Sequence, residues 1–232
     1  MKLIKVKNYR EMSKVASEII IDEMIEKRNI IIGFATGKSP KRLYKNLVKA
    51  YKKNRIDFSY VKTFNLDEYY PIKRNDKKSY RYYMFKNLFN KVNLRKEHIY
   101  LLDGSTDDPG KECKDYDKKI NKNPIDIQIL GIGVNGHVGF NEPGSSSTSK
   151  TRLVNLAPET VKRNKYLDKG LTVGISTILK SKKILLLASG EEKSQPVKEL
   201  IKGRINKKLP ASLLKKHKNL IVIIDKKAGS LL

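Results

Sequence analysis

The chain has 232 residues, of which 39% are hydrophobic, and it carries a formal net charge of +26. This length suits one domain with a single core, and the proportion of apolar residues excludes an intrinsically disordered chain. No apolar stretch approaches the roughly 20 residues that a membrane-spanning helix needs, and the N-terminus lacks the continuous apolar core of a secretory signal. The single cysteine, Cys113, cannot form an intramolecular disulfide, so we expect a cytoplasmic protein.

The positive charge comes mostly from lysines, which occur in every segment of the chain. Such a charge can indicate a nucleic-acid or acidic-membrane partner, but those surfaces more often concentrate arginine in one cluster with aromatic side chains between. We interpret the scattered lysines as solvated helix faces, and we expect no specific nucleic-acid partner and no membrane partner. The charge still creates a positive field that favours the approach of anionic substrates.

Short apolar runs rich in β-branched residues alternate with amphipathic stretches along the chain. The apolar runs predict buried strands at Asn29–Phe34, Val61–Leu66, Ile125–Gly131, Lys183–Ala188 and Leu220–Ile224. The amphipathic stretches predict helices at Tyr9–Lys27, Pro40–Lys53, Ser79–Lys91, Lys111–Lys119, Glu191–Ile201 and Ala211–His217. This alternation predicts an α/β fold, with a doubly wound, largely parallel sheet and helices on both faces. No shift in composition marks a second domain, so we expect residues 1–232 to form a single domain.

Ligands of open parallel sheets bind beyond the carboxyl ends of the strands, and three loops at predicted strand ends carry unusual residues. The first loop combines Gly37, which lets the backbone approach an anion, with the hydroxyls of Thr36 and Ser39. Lys38 adds positive charge, and Pro40 suits the first turn of the next helix, whose N–H groups can seat a phosphate. The GxxxxGK[ST] spacing of a P-loop is absent, and an ordinary serine-capped turn explains this loop equally well.

The second loop carries two adjacent carboxylates, Asp67 and Glu68, in a chain that is poor in acids. Successive residues of an extended segment point to opposite sides, so one carboxylate can face a substrate while the other contacts the scaffold. Asp67 would then act as a general base if partial burial raised its pKa towards the working pH. For an isolated Asp-Glu pair, a solvated turn or a helix N-cap is the more common role.

The third loop, Gly131–Pro143, is the most informative segment of the sequence. Four glycines within nine residues permit an irregular backbone and a close approach to a ligand. They flank His137, whose side chain suits proton transfer near neutral pH. Glu142 can orient or charge-stabilise the imidazole, and Asn135 can fix its tautomer through a hydrogen bond. A lone histidine is more often structural, but its place in a glycine-rich loop at this edge of the sheet favours catalysis.

Other chemistries have weaker support. His98, His137 and His217 are widely spaced and have no paired cysteine or HExxH context, so we expect no metal site. Gly131–Gly136 spells GxGxxG after a predicted strand, but no clear helix start follows, so dinucleotide binding is a poor second interpretation. The run Ser145–Ser147 lacks the strand–elbow–helix setting of a hydrolase nucleophile.

Taken together, the motifs resemble those of the glucosamine-6-phosphate deaminase family. The similar segments cover nearly the whole chain: GFATGKSPKRLY, TFNLDEYY, SYRYYMFKNLF, ILGIGVNGHVGFNEPGSS and LTVGISTIL. Two of the motifs, TFNLDEY and GxNGHxGFNEP, are long and specific. The chain looks like the short bacterial form, which lacks the C-terminal extension of the longer allosteric enzymes.

The resemblance implies an aldose–ketose isomerisation that converts glucosamine 6-phosphate into fructose 6-phosphate and ammonia. It implies that Asp67 takes the C2 proton of the open-chain sugar and returns it at C1, and that His137 opens the pyranose ring. Glu142 and Asn135 would support His137, although some members have Asp in place of this asparagine. No cofactor and no metal are implied.

The resemblance also assigns the substrate phosphate to the Thr36–Ser39 loop and to Lys193. The sequence departs from the family pattern just beyond Asn164, where an arginine that helps to bind phosphate in the family's lid segment is missing. Lys165 could substitute for it as a point charge, but without bidentate geometry. The predicted chemical residues are intact, and the sequence does not distinguish a monomer from a homo-oligomer.

Two other functions remain open at the level of sequence. A 6-phosphogluconolactonase-like hydrolase would share the glycine-rich loop and its histidine. It would not be expected to carry FNLDEY or GFNEP, and it has no need for a base that moves a proton between two carbons. Related domains also serve as sugar-phosphate sensors. The protein would be a non-catalytic sensor if the absence of the arginine had abolished catalysis.

Overall fold

The computed structural model describes residues 1–164 and 167–232 of the chain. Within these residues a seven-stranded sheet forms the centre of the molecule, and each hydrogen-bonded pair of its strands is parallel. From one edge to the other, the strands are β1 (Lys2–Val6), β10 (Leu220–Asp225), β9 (Lys183–Ala188), β6 (Ile127–Gly131), β2 (Ile31–Phe34), β3 (Lys62–Asn65) and β5 (Ile99–Tyr100).

Helices cover both faces of this sheet. Along the described residues, the α-helices are α1 (Tyr9–Glu26), α2 (Lys41–Lys52), α3 (Tyr80–Asn87), α4 (Pro109–Lys122), α5 (Pro158–Asn164), α6 (Ile175–Ile178), α7 (Ser194–Lys202) and α8 (Pro210–Leu213). Residues of α1, α2 and α3 pack in one apolar core, and residues of α4, α7 and α8 pack in a second core across the sheet. The predicted doubly wound α/β fold is confirmed. Among the described residues, no helix is both long enough and apolar enough to cross a membrane.

The sequence explains the burial of the central strands and the starting points of the helices. From Ile184 onwards, β9 is continuously apolar and buried, as expected for a strand covered on both faces. α1 begins after Asn8, whose side chain accepts a hydrogen bond from the backbone N–H of Glu11 over 3.0 Å. α4 begins after Asp108, whose side chain accepts one from the backbone N–H of Lys111 over 2.9 Å.

A small antiparallel sheet is present that the sequence pattern does not predict. Its strands, in spatial order, are β4 (Asp67–Tyr69), β8 (Lys169–Thr172) and β7 (Arg152–Asn155). Each has only three or four residues, which is too short for a periodic signal, so tertiary pairing alone defines these strands. The pattern also misses two strands of the main sheet. They are β1 at the sheet edge, which contains two lysines among its five residues, and β5, which has two residues.

The order of the strands determines where a ligand can bind. β2 and β6 are neighbours; after β2 the chain extends the sheet towards β3 and β5, and after β6 it extends the sheet towards β9 and β10. Such a reversal in strand order leaves a crevice at the carboxyl ends of the strands. The loops that follow β2, β3, β6 and β9 converge at this crevice.

Candidate active site

A cleft of about 890 Å³ opens where these four loops meet. Most of the residues assigned to the substrate by sequence line it, namely Thr36, Gly37, Lys38 and Ser39 after β2, Asp67 after β3, His137 after β6 and Lys193 after β9. Asn135 and Glu142 do not line the cleft, but both contact the ring of His137. Lys165 lies outside the described residues.

His137 is held through one of its two ring nitrogens. Its Nδ1 lies 2.8 Å from Oδ1 of Asn135 and 3.4 Å from Oε2 of Glu142. Nδ2 of Asn135 donates a hydrogen bond of 2.9 Å to the same oxygen of Glu142. Asn135 Oδ1 also accepts a 3.2 Å hydrogen bond from the backbone N–H of His137. We call these three residues the histidine cluster.

The hydrogen bonds of the histidine cluster determine the tautomer of the neutral imidazole. A carboxylate only accepts hydrogen bonds, so the Asn135 amide must present its NH₂ group to Glu142 and its oxygen to His137. That oxygen needs a donor, and the proton of the neutral imidazole therefore resides on Nδ1. The lone pair of Nε2 is left available to a substrate.

The Glu142 carboxylate is heavily hydrogen-bonded on both oxygens. Oε1 accepts a 2.6 Å hydrogen bond from the hydroxyl of Thr160 and a longer one, 3.4 Å, from the backbone N–H of Ala157. Burial by itself would raise the pKa of Glu142. The hydrogen bond and charge of His137, together with hydrogen bonds from Thr160 and Asn135, outweigh burial and lower this pKa to about 2. The ionised carboxylate can therefore stabilise an imidazolium ring.

Thr160 is a site residue that sequence reasoning misses. It belongs to α5, and its hydroxyl makes the shortest hydrogen bond that Glu142 receives from a neighbouring side chain. It lies 18 positions from Glu142 along the chain, in a helix without a motif of its own. No local signal in the sequence indicates this contact.

Two glycines of the loop after β6 have identifiable geometric roles. A Cβ atom at Gly133 would lie 2.4 Å from Nδ1 of His137, so only glycine lets the imidazole occupy its position. The N–H of Gly133 also donates a 2.8 Å hydrogen bond to the carbonyl of His137, which closes the turn. Gly136 adopts a φ of +82°, in the region that favours glycine.

Asp67 lines the cleft but is almost completely buried. It is 6% exposed, and its Oδ1 has no hydrogen-bond partner among the described residues. Burial, followed by the charge of Glu68, raises the pKa of Asp67 well above its ordinary value. A carboxylate with few partners and a raised pKa is suited to accept a proton from a weak carbon acid.

Glu68 points away from the cleft, as the alternation of an extended segment predicts. It accepts hydrogen bonds from the backbone N–H groups of Tyr69, Tyr80 and Arg81 over 2.8–2.9 Å. Burial raises the pKa of Glu68 to about 7, even though these three donors act in the opposite direction. Glu68 therefore joins β4 to the first turn of α3 and helps to fix the segment that carries Asp67.

The loop after β2 offers backbone donors to an anion. Gly37 turns the chain with a φ of +97°. Among the described residues, the N–H groups of residues 36–39 donate to no other group. Lys193 lines the same cleft while only 9% exposed, with its Nζ 3.5 Å from the carboxylate of Glu192. These backbone donors and this cation can together hold a phosphate.

Tyr80 also lines the cleft, although sequence reasoning assigns it no role. Its ring stacks on Phe140 with centroids 5.6 Å apart, and its hydroxyl oxygen lies 3.1 Å from that of Tyr69. Burial is the main reason that its pKa is raised, and a hydrogen bond with the Thr36 side chain opposes the shift. The segment SYRYYMF contains Tyr80, but aromatic residues in a helical segment indicate packing more often than a site.

The cleft combines acid–base groups with anion-binding groups. Within the part of the chain that the structure describes, no three His, Cys, Asp or Glu side chains come together in a way that could hold a metal ion. The fold and the cleft thus define an α/β acid–base site for an anionic small molecule.

The model of the family of glucosamine-6-phosphate isomerases and 6-phosphogluconolactonases matches residues 8–223. The chain belongs to this family.

Relatives within the family have a more specific name. A glucosamine-6-phosphate deaminase from Thermoanaerobacter sp. is 46% identical, over 100% of this chain and 95% of its own length. One from Clostridium botulinum is 48% identical, over 99% of this chain and 98% of its own length. A solved monomeric glucosamine-6-phosphate deaminase matches with a TM-score of 0.98 and 38% identity over the full length of both chains.

Solved lactonases share the fold at much lower identity. The 6-phosphogluconolactonase from Trypanosoma brucei has a TM-score of 0.83 and 17% identity, and covers 100% of this chain and 98% of its own. The corresponding enzyme from Leishmania guyanensis has a TM-score of 0.79 and 21% identity, over 98% of this chain and 97% of its own. These two similarities establish a common scaffold and leave the reaction to be argued from the site.

Proposed function

We propose that this protein is an enzyme that converts glucosamine 6-phosphate and water into fructose 6-phosphate and ammonia. The observation that carries the proposal is the Asp67 carboxylate, which is buried and lines the same cleft as His137, and whose Oδ1 has no hydrogen-bond partner in the part of the chain that the structure describes. A reaction that moves a proton between two carbons needs such a base, and ring opening needs a separate acid–base group. The names of the relatives, at 46–48% identity over nearly the whole chain, support the same reaction.

Ring opening is assigned to His137. The anomeric hydroxyl must lose a proton and the ring oxygen must gain one. Nε2 is the imidazole nitrogen with a free lone pair, because Nδ1 is committed to the Asn135 oxygen. Nε2 takes the hydroxyl proton and delivers a proton to the ring oxygen as the C1–O bond breaks. The Glu142 carboxylate, 3.4 Å from Nδ1, stabilises the imidazolium that forms in between.

Isomerisation is assigned to Asp67. Its carboxylate removes the C2 proton of the open-chain aldehyde, and the electron pair moves through C1 to the aldehyde oxygen. That oxygen takes a proton from the ammonium group on C2, which gives an enolamine with a hydroxyl on C1. The carboxyl group then returns its proton to C1, which leaves a protonated imine at C2. Water adds to this imine, and the C2–N bond breaks to release ammonia and the ketone. The raised pKa of Asp67 makes it a stronger base than an exposed aspartate for the first of these steps.

The phosphate is assigned to the loop Thr36–Ser39 and to Lys193, whose donors and charge lie in the same cleft. Lys38 is exposed, so it contributes positive electrostatic potential to the cleft rather than a fixed contact.

We also propose that residues 1–232 act as one domain, because both apolar cores use the same sheet. The cytoplasm remains the proposed location, because the one cysteine is buried and unpaired in the structure.

A product assay tests the proposal. The purified protein, supplied with glucosamine 6-phosphate, is expected to release ammonia and fructose 6-phosphate in equal amounts, measured by separate coupled assays. Binding of the sugar phosphate without ammonia release would favour a sensor. Hydrolysis of 6-phosphogluconolactone at a comparable rate, without deamination, would favour a lactonase. The Asp67→Asn variant serves as the background control in each assay.

A further inference from the structure

Three tyrosines from three different helices hold the loop that follows β2. The hydroxyl of Tyr44, on α2, donates to the carbonyl oxygen of Ala35. The hydroxyl of Tyr83, on α3, donates to the carbonyl of Gly37 over 2.6 Å. The hydroxyl of Tyr9, at the start of α1, donates to the carbonyl of residue 38 over 2.8 Å. We call Tyr9, Tyr44 and Tyr83 the tyrosine clamp.

The tyrosine clamp also controls the direction of the loop's N–H groups. In a planar trans peptide, the carbonyl oxygen of one residue and the N–H of the next point in opposite directions. Each carbonyl that faces a phenol therefore turns the following N–H away from that phenol. The N–H groups of Thr36, Lys38 and Ser39 are the ones directed in this way, and all three residues line the cleft.

These three N–H groups are available to a ligand. None of them donates to another group within the described residues. Backbone N–H groups that converge without a partner form an anion site, most effectively beside the N-terminus of a helix, and α2 begins at Lys41. The described residues that line the cleft include lysines but no arginine. A phosphate in this cleft would thus take its directional hydrogen bonds from the backbone N–H groups and from the hydroxyls of Thr36 and Ser39.

The phenols of the tyrosine clamp have the geometry of fixed donors. Tyr9 accepts a 3.0 Å hydrogen bond from the backbone N–H of Arg42, which orients its hydroxyl proton towards the loop carbonyl. Tyr44 is fully buried in the core, with its ring edge-on to Phe34 at 5.5 Å. Burial raises the pKa of Tyr44 and of Tyr83 above the ordinary value, so both remain protonated donors at neutral pH.

We propose that the tyrosine clamp positions the N–H groups of Thr36, Lys38 and Ser39 as the seat of the substrate's phosphate. The inference rests on the proposed function in one respect only, which is that the ligand of this loop is the phosphate of a sugar phosphate. The clamp residues hold the loop through its carbonyl oxygens, so they are positioning residues. We therefore expect their hydroxyls to affect the affinity for phosphate and not the rates of the proton transfers. Of the three, Tyr9 is the one that also lines the cleft within the described part of the chain, so Tyr83→Phe is the cleaner test of positioning.

The test uses variants that remove one hydroxyl each, Tyr9→Phe and Tyr83→Phe, in the full chain. Tyr82→Phe is the matched control. Tyr82 lies next to Tyr83 on α3, and its hydroxyl makes no hydrogen bond among the described residues. Binding of inorganic phosphate is measured by calorimetry, and the thermal midpoint is recorded for every variant. The loss of one hydrogen bond that orders the loop is expected to weaken phosphate binding by about threefold to tenfold in each clamp variant.

Enzyme kinetics and nuclear magnetic resonance separate positioning from general destabilisation. We expect KM for glucosamine 6-phosphate to rise by a similar factor in the clamp variants, while kcat changes by less than about twofold. Amide signals of Thr36, Lys38 and Ser39 are expected to shift on addition of phosphate to the wild type and the Tyr82→Phe variant. The shifts should be smaller in the double variant Tyr9→Phe/Tyr83→Phe.

Unchanged phosphate affinity in the folded double variant would overturn the inference, and so would a fall in kcat with no change in KM. Neither result would affect the proposed deamination, which depends on ammonia release by the wild type. Conversely, a wild type that binds phosphate but releases no ammonia would remove the proposed function. The role of the tyrosine clamp in binding inorganic phosphate would still be measured by calorimetry.

Discussion

Two carboxylates serve the same cleft from opposite environments. Glu142 is surrounded by donors from His137, Asn135 and Thr160, and its pKa is lowered to about 2. Asp67 is buried beside another carboxylate, one of its oxygens has no hydrogen-bond partner within residues 1–164 and 167–232, and its pKa is raised. Environment separates the two groups into a permanently ionised support and a base that can exchange a proton. Substitutions at either carboxylate, or at a donor to one of them, should therefore have opposite and measurable effects.

The largest expected effect is the loss of turnover in Asp67→Asn. The amide cannot accept the C2 proton, so kcat should fall by about 100- to 10,000-fold. The amide has nearly the same shape, so the affinity for an inert sugar phosphate, measured by calorimetry, should change little. Turnover within tenfold of the wild type would show that another group moves the proton.

The Glu142→Gln variant tests the other carboxylate through stability. The pKa of Glu142 is lowered by folding, so its contribution to stability is present above its unfolded pKa and is lost as pH falls towards about 2. At pH 7 the variant should lose up to about 3 kcal/mol of unfolding free energy, measured by urea denaturation. The difference from the wild type should shrink between pH 5 and pH 3. A loss that is independent of pH would contradict the assigned cause.

The Thr160→Val variant removes one donor from Glu142 while keeping the shape of the side chain. The 2.6 Å hydrogen bond to the ionised carboxylate is lost, so the imidazolium of His137 is less well supported. We expect kcat to fall by about threefold to tenfold, with a smaller change in KM. Thr160→Ser keeps the hydroxyl and is the matched control. Equal losses in both variants would indicate that packing, and not the hydrogen bond, matters at this position.

The smallest expected effect is a gain in stability by Asp67→Asn. Because folding raises the pKa of Asp67, the wild type becomes less stable as pH rises from the unfolded pKa, near 4, towards the folded pKa. The variant lacks this penalty, so its thermal midpoint should exceed that of the wild type by about 2–8 °C at pH 7. The gain should be small at pH 4. A lower midpoint at pH 7 would mean that the carboxylate stabilises the fold.

Local patterns predict the elements that have long, continuous signals. The apolar run of β9, for example, starts and ends where the sequence pattern places it, because a central parallel strand is buried on both faces. β4, β7 and β8 lack such a signal, since three or four residues carry no period, and their pairing spans the distance from Asp67 to Thr172. The predicted site residues that the structure describes all lie in or next to the cleft.

The contacts around those residues depend on the fold as a whole. The alternation of an extended segment indicates that Asp67 and Glu68 diverge, but only the position of α3 explains which of them receives the backbone donors. Thr160 reaches Glu142 across 18 positions, and Tyr83 reaches Gly37 across 46. Contacts at such separations leave no local pattern that could reveal them.

The class of fold, the glycine-rich loop around His137 and the chemical identity of the candidate acids and bases can all be inferred from the amino-acid sequence. Strand periodicity and side-chain chemistry are local properties, so they can be recognised before the chain is folded. The folded chain is needed to explain the Nδ1–H tautomer, the opposite pKa shifts of Asp67 and Glu142, and the contacts of the tyrosine clamp with the loop. Each of these depends on burial and on hydrogen-bond partners, which exist only after distant segments have packed together.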